Sequence, residues 1–255
     1  MRRRLQRRLD LRLYRNVRRL VVASESLRDT FAAAGLDPAR IRVVPPGRDP
    51  AVAGEPAGDL RRGRAIAVLC VANWIPRKGV DALLEAVARL PPEAATLHLA
   101  GDENADRPYG RRLAARVGRD DLKDRVVRHG VVQPERVASL YAVADVFALP
   151  SLEEPYGTVY GEAMAAGLPV VGWRLGNLPF LARDGIEGFV LAPNDVDALA
   201  RALQHLADDE PMRLRLGEAA RRRAATFPTW RESARLFFEC VREAVEEPER
   251  PGRGP

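Results

Sequence analysis

Two glutamates eight residues apart, Glu154 and Glu162, mark the first place where this sequence could do chemistry. They lie in the run Glu154-Pro155-Tyr156-Gly157-Thr158-Val159-Tyr160-Gly161-Glu162-Ala163-Met164-Ala165-Ala166-Gly167. The apolar stretch 145–149 precedes the run and stops at Pro150-Ser151, so Glu154 is expected on a loop at a strand's carboxyl end. Gly157 opens the helical stretch 158–166. The N–H groups of Gly157, Thr158 and Val159 are then expected to lack intrahelical partners and to face the loop. A helix start of this kind attracts anions, phosphate in particular. Glu162 falls about one turn into the helix. Carboxylates accept hydrogen bonds from sugar hydroxyls.

The second constellation is Val71-Ala72-Asn73-Trp74-Ile75-Pro76-Arg77-Lys78-Gly79, which follows an apolar strand and opens a helical pattern over 78–90. A cation at a helix start opposes the helix dipole unless an anion lies between them. A nucleotide diphosphate would supply that anion. Of the 41 basic residues only Lys78 and Lys123 are lysine, which hints that an ammonium rather than a guanidinium is wanted at Lys78.

Other chemistries find little support. His98, His129 and His205 are widely separated and show no metal-ligand spacing; His129 is expected as a packed strand residue. There is no Gly-x-Ser-x-Gly elbow and no Gly-x-x-x-x-Gly-Lys-Ser/Thr loop. Cys70 and Cys240 are too few for a disulfide framework or a four-thiolate zinc site and read as small buried apolar residues.

These residues need strand ends and helix starts to hold them. From residue 65 onward the pattern alternates. Strands are predicted at 65–71, 95–100, 125–129, 145–149, 169–173 and 188–191. Helices are predicted at 78–90, 109–117, 134–143, 158–166 and 177–183, then at 196–206, 211–226 and 230–245. Such alternation predicts an α/β fold with a doubly wound parallel sheet, which binds ligands at the carboxyl ends of its strands. Before it come an amphipathic helix over 1–17 (Leu5, Leu9, Leu13 and Val17 every fourth residue), a strand at 20–23, a helix over 24–34 capped by Ser24, and a strand at 41–44. The stretch 45–63 is rich in Pro, Gly and Ala and reads as a linker.

Composition is that of an ordinary globular chain: 255 residues, 46% hydrophobic and 30% charged. The net charge of +6 invites a nucleic-acid reading. However, residues 1–20 alone hold nine arginines and one acid, so the rest of the chain is slightly acidic. No nucleic-acid partner is expected. The basic segment would suit a solvated helix face or peripheral contact with an anionic membrane. No apolar run is long enough to span a bilayer, and a cytoplasmic location is expected.

The run from Glu154 to Glu162 resembles the Glu-x7-Glu motif of retaining glycosyltransferases with the GT-B fold, family 4 in particular. The likeness rests on Pro150-Ser151 before it, Glu154-Pro155-Tyr156-Gly157 at its start, and Glu162-Ala163-Met164-Ala165-Ala166-Gly167-Leu168-Pro169-Val170-Val171 at its end. The resemblance implies that Glu154 contacts the donor sugar and Glu162 the ribose hydroxyls. It implies that Lys78 contacts the diphosphate. Asn73 stands where the family usually has arginine, and Arg77 is the candidate substitute. Gly101 in the Gly101-Asp102 turn, and Gly130 and Val131 after His129, match donor-side loops, Val131 by its backbone near the base. Gly176-Asn177-Leu178-Pro179 resembles the family's Gly-x-x-Pro-Glu loop, with Phe180 in place of the glutamate. Phe227-Pro228-Thr229-Trp230 resembles the Phe-x-x-Trp start of its final helix. Asp102-Glu103-Asn104 is not the Asp-x-Asp metal motif of the other main glycosyltransferase fold, so neither metal nor cofactor is expected.

By the same resemblance, residues 1–50 are the end of an N-terminal acceptor domain, 51–63 a linker, 64–226 a Rossmann-like donor-binding domain, 227–246 a crossover helix and 247–255 a disordered tail. The function implied is transfer of a hexosyl unit from a nucleotide-diphosphate sugar to an acceptor hydroxyl, with retention. The acceptor (a sugar, a lipid-linked sugar or a small molecule) stays open. So does the cause of the missing domain: a late start, a split gene with a separate acceptor domain, or a half-protein. The alternatives are a non-catalytic nucleotide-sugar-binding module and a nucleotide-sugar epimerase of the same architecture.

Overall fold

The computed structural model describes residues 14, 17–48 and 57–246. The helix expected over 1–17 therefore lies almost wholly outside the described residues, as do residues 49–56 of the linker and the tail 247–255. The chain divides into two compact units, Met1–Asp49 with Pro228–Pro255, and Pro50–Phe227.

In the smaller unit, β1 (Leu20–Val22) pairs in parallel with β2 (Ile41–Val43), Leu20 opposite Ile41. Helix α1 (Glu25–Ala33) connects them. The Ser24 side chain accepts from the Leu27 N–H at 3.2 Å, as an N-cap should. Val22, Leu36 and Ile41 form its small buried core.

The larger unit is a six-stranded parallel sheet with strand order β5-β4-β3-β6-β7-β8. The strands are β3 (Ile66–Val71), β4 (Ala95–Ala100), β5 (Val126–Gly130), β6 (Val146–Ala148), β7 (Val170–Trp173) and β8 (Gly188–Leu191). The helices are α2 (Val80–Ala88), α3 (Arg107–Val117), α4 (Pro134–Val143), α5 (Thr158–Ala166), α6 (Leu178–Leu181), α7 (Val196–Asp208) and α8 (Glu210–Ala224). Helix α2 packs with α3 and α7, and α5 with α4 and α8, as a sheet covered on both faces requires. Buried on both faces, β3 and β4 need near-continuous apolar sequence, which Ile66–Cys70 and Ala95–Ala100 supply. The polar exceptions on β4 are satisfied. Thr96 Oγ1 donates to the Arg61 carbonyl at 2.7 Å, and His98 Nε2 lies 2.8 Å from the Leu60 carbonyl. Edge strand β5 is only half-buried and carries Arg128 outward.

Strands β4 and β5 extend the sheet to one side of β3, whereas β6, β7 and β8 extend it to the other. The winding direction therefore reverses between β3 and β6, which pair at Val68 with Val146 and at Leu69 with Phe147. At such a reversal the loops leaving the two strands diverge and open a crevice.

One difference from the sequence expectation bears directly on the site. The helix predicted over 78–90 begins instead with a 3-10 turn, Pro76–Lys78, and the α-helix starts at Val80. Gly79 separates them at φ 67°. A Cβ there would come within 2.0 Å of the Pro150 carbonyl oxygen, so only glycine allows the two loops to close up. Lys78 thus precedes the helix rather than lying in its first turn.

Candidate functional site

Both sequence constellations fall at the reversal point. The loop after β3 carries Asn73, Arg77 and Lys78; the loop after β6 carries Glu154, Tyr156 and Gly157. Hydrogen bonds fasten the two loops together. The Leu152 N–H donates to the Arg77 carbonyl at 2.8 Å, and buried Ser151 Oγ lies 3.0 Å from the same oxygen. Arg77, exposed, donates from Nη1 to the Glu153 carbonyl at 3.0 Å.

Lys78 Nζ and Glu154 Oε2 form an ion pair, with side-chain exposures of 15% and 9%. The anion beside the lysine is thus a carboxylate of the protein itself. The other oxygen, Glu154 Oε1, lies 3.4 Å from the Gly157 nitrogen. This corrects the expectation that all three N–H groups at the start of α5 lack partners, because Glu154 curls back onto the first of them. Thr158 and Val159 remain at the helix start, Thr158 exposed and Val159 half-buried. Gly157 adopts φ 76° as the N-cap. Tyr156 is 48% exposed beside it.

Glu162 lies on the exposed side of α5. Its neighbour Tyr141 on α4 is pushed well above the ordinary phenol pKa, first by burial and then by the Glu162 charge. Burial also holds Tyr160 protonated, with Glu154 adding to the effect. Tyr160 donates its phenolic proton to the Leu149 carbonyl at the end of the β6 segment. These two phenols therefore brace the site as neutral donors.

The remaining candidates are laced to the crevice in series. Asn73 Oδ1 accepts from the Asp102 N–H at 3.0 Å, and the Trp74 N–H donates to the Asp102 carbonyl at 2.9 Å. The Gly101 N–H donates to the Gly130 carbonyl at 2.8 Å. The loops after β3, β4 and β5 thus line one continuous rim. Asn73 fastens that rim, and exposed Val131 stands at its far end.

Several residues of the quoted motifs have supporting roles that the sequence did not reveal. Asn177 is 6% exposed. Its N–H donates to the Glu154 carbonyl at 2.8 Å and its Nδ2 to the Tyr156 carbonyl at 2.9 Å, so it holds the 154–157 loop from beneath. Gly176, at φ 57°, lets this approach happen, because a Cβ would meet the Glu154 oxygen at 2.4 Å. Trp74 is fully buried under the Arg128 guanidinium, which also pairs with Glu103. The histidines need a correction. His98 and His129 are 31 residues apart in sequence, yet His98 Nδ1 and His129 Nε2 are 3.0 Å apart. No group of three or more potential metal ligands occurs among the described residues.

Residues 65–209, more than half of the chain, match the family model described as glycosyl transferases group 1. The chain belongs to this family. Residues 1–52 also match the model described as glycosyltransferase family 4. Among curated relatives it is 34% identical over 251 residues to D-inositol 3-phosphate glycosyltransferase of Corynebacterium kroppenstedtii, covering 90% of this chain and 54% of that one. It is likewise 34% identical over 255 residues to the Mycobacterium bovis protein of the same name, covering 93% and 51%. The chain therefore spans about half the length of the curated relatives it matches. Among solved structures it resembles sucrose-phosphate synthase from Thermosynechococcus elongatus, with TM-score 0.80, 28% identity, and coverage of 92% and 60%. Anabaena HepE with UDP shares the fold, at TM-score 0.82, 24% identity, and coverage of 92% and 68%. The parallel-sheet α/β architecture is that of the GT-B glycosyltransferases.

Proposed function

We propose that this chain carries the donor half of an enzyme that moves a hexosyl unit from a nucleotide-diphosphate sugar to an acceptor hydroxyl, with retention and without a metal ion. The observation that carries the proposal is the meeting of Lys78 and Glu154 at the reversal point of the parallel sheet, beside the N-terminus of α5. Two groups there favour an anion: a half-buried ammonium and a helix start.

The chemistry follows from an exchange of partners. In the free protein Lys78 is neutralised by Glu154. A diphosphate entering between Lys78 and the Thr158 and Val159 N–H groups would take the ammonium. Glu154 is then released to accept from a sugar hydroxyl. Glu162, one turn along the exposed side of α5, would accept from the ribose hydroxyls. As the bond from sugar to phosphate breaks, negative charge grows on the departing diphosphate. Lys78, Arg77 and the helix start stabilise that charge, and the fixed loops provide the orientation. The departing phosphate oxygen can take the acceptor's proton, so no protein nucleophile is required. HepE has been solved with UDP and with UDP-glucose, which makes a uridine diphosphate sugar the first donor to try.

In an enzyme that joins this chain to an acceptor domain, Lys78→Ala and Glu154→Ala are each expected to lower kcat/KM at least tenfold, or about 1.4 kcal/mol of transition-state stabilisation. Chelation with EDTA is expected to leave the rate unchanged. Wild-type rates from both variants would overturn the assignment of the site. Loss of activity with EDTA would overturn the metal-free mechanism. Product formed without any acceptor would point to an epimerase.

A further inference from the structure

His98 lies on β4 and is 2% exposed. Its Nε2 faces the Leu60 carbonyl at 2.8 Å, and its Nδ1 faces His129 Nε2 at 3.0 Å. A carbonyl oxygen can only accept, so His98 carries its proton on Nε2. Neutral His98 then offers a lone pair at Nδ1, and His129 must donate from Nε2. The result is a directed chain of hydrogen bonds, from His129 to His98 to the Leu60 carbonyl. Its only open nitrogen is His129 Nδ1.

The pair sits where the β4–β5 ladder changes register. Leu99 pairs with Arg128, but Ala100 pairs with Gly130, so His129 is the extra residue. Directly after it, Gly130 turns to φ 63° and its carbonyl accepts from the Gly101 N–H. The side chain that anchors this bulge is His129, and its anchor is His98. The bulge also sets the direction in which the Gly130–Val131 backbone leaves the sheet.

We propose that the His98–His129 pair positions the Gly130–Val131 turn and, through its protonation, sets how tightly that turn receives the donor. The inference rests on the donor-site reading given above. One added proton is compatible with the hydrogen bond, which becomes imidazolium to imidazole. A second proton is not, because two N–H groups and two like charges would face each other at 3.0 Å. The charged side chains that act on the pair oppose protonation as well. Arg62 lies on the His98 side and Arg136, on α4, on the His129 side. Arg64 reaches Thr96 on the same strand as His98. The neighbouring Arg128 is paired with Glu103. Burial lowers the pKa of both imidazoles below the ordinary value, with the arginines adding to the effect. The native pair is therefore neutral near pH 7. Its contribution to stability is complete above the unfolded histidine value of about 6.5 and is lost as pH falls through the native values.

The test uses the chain itself with UDP-glucose, whose diphosphate does not titrate near neutral pH. Ring 15N spectra should show the Nε2–H tautomer for both histidines, and the Gly130 and Val131 amides should shift with the imidazole midpoint. Affinity for UDP-glucose should fall at least about threefold on acidification through the lower of the two imidazole midpoints, where the second proton breaks the hydrogen bond. His129→Gln can still donate to His98 but cannot titrate, and it should flatten the fall. His129→Leu should weaken binding at every pH. Gly130 and Val131 amides that ignore the imidazole titration, or a fall of the same size in wild type and His129→Gln, would overturn the proposal. Absence of binding at every pH would count against the donor-site reading, whereas the amide titration decides the positioning claim separately.

Discussion

At the scale of residues, Lys78 and Glu154 were each legible from sequence, but their pairing was not. They are 76 positions apart and meet only because β3 and β6 are neighbours at the reversal of the sheet. Strand order is not encoded in local periodicity. The same holds for His98 and His129, which become partners because β4 and β5 are adjacent. Removing one member of a buried pair leaves the other charge desolvated, at a cost of about 3–5 kcal/mol in dry interiors and less where, as here, some exposure remains. Glu154→Ala and Lys78→Ala should each destabilise the fold in urea titrations, whereas the double variant should cost less than their sum. Fully additive losses would mean the two groups do not interact in solution. Cys70 gives an independent check. Burial pushes its thiol pKa up to about 12 despite the nearby Lys78. A thiol reagent near pH 8 should therefore leave Cys70 unmodified in the native protein and react once urea unfolds it. Rapid native labelling would contradict the placement of β3 at the centre of the sheet.

At the scale of elements, the sequence pattern located most of the sheet and its helices. Ala95–Ala100, Pro134–Val143, Thr158–Ala166 and Gly188–Leu191 form with the bounds that periodicity and turn residues give. The failures share a physical cause. Periodicity reports which side faces the core, not how the first turn is wound. It therefore extends α2 back through Lys78, where Pro76 and the left-handed Gly79 impose a 3-10 turn. Likewise, Asn177 looks like an ordinary loop residue until the short helix α6 carries it under Glu154. Gly79→Ala is a direct test of this closure. The left-handed backbone and the clash with Pro150 should together destabilise the chain by about 1–3 kcal/mol or more, measured by urea denaturation. They should also weaken donor binding, because Lys78 is the preceding residue. Unchanged stability would show that the β3 and β6 loops are not held together as described.

At the scale of the whole molecule, the excess positive charge lies in residues 1–20 of the sequence, and the remaining residues are slightly acidic in sum. Under the proposed function the attraction for a diphosphate is local: Lys78, Arg77 and one helix start. The chain spans about half the length of its curated relatives. The candidate donor-site residues are all contained within residues 65–209, the stretch matched by the group 1 model. Binding and turnover should accordingly separate. The 255-residue chain is expected to bind a nucleotide sugar yet to show little transfer alone, and transfer should appear when an acceptor domain is joined to it. Robust turnover by the chain alone would contradict that division. The most direct test of the central claim is calorimetric titration of UDP-glucose into this chain and into Lys78→Ala, with EDTA present. Binding to the wild type that weakens at least about tenfold in the variant is the expected result. Equal affinity in both would contradict the placement of the diphosphate beside Lys78.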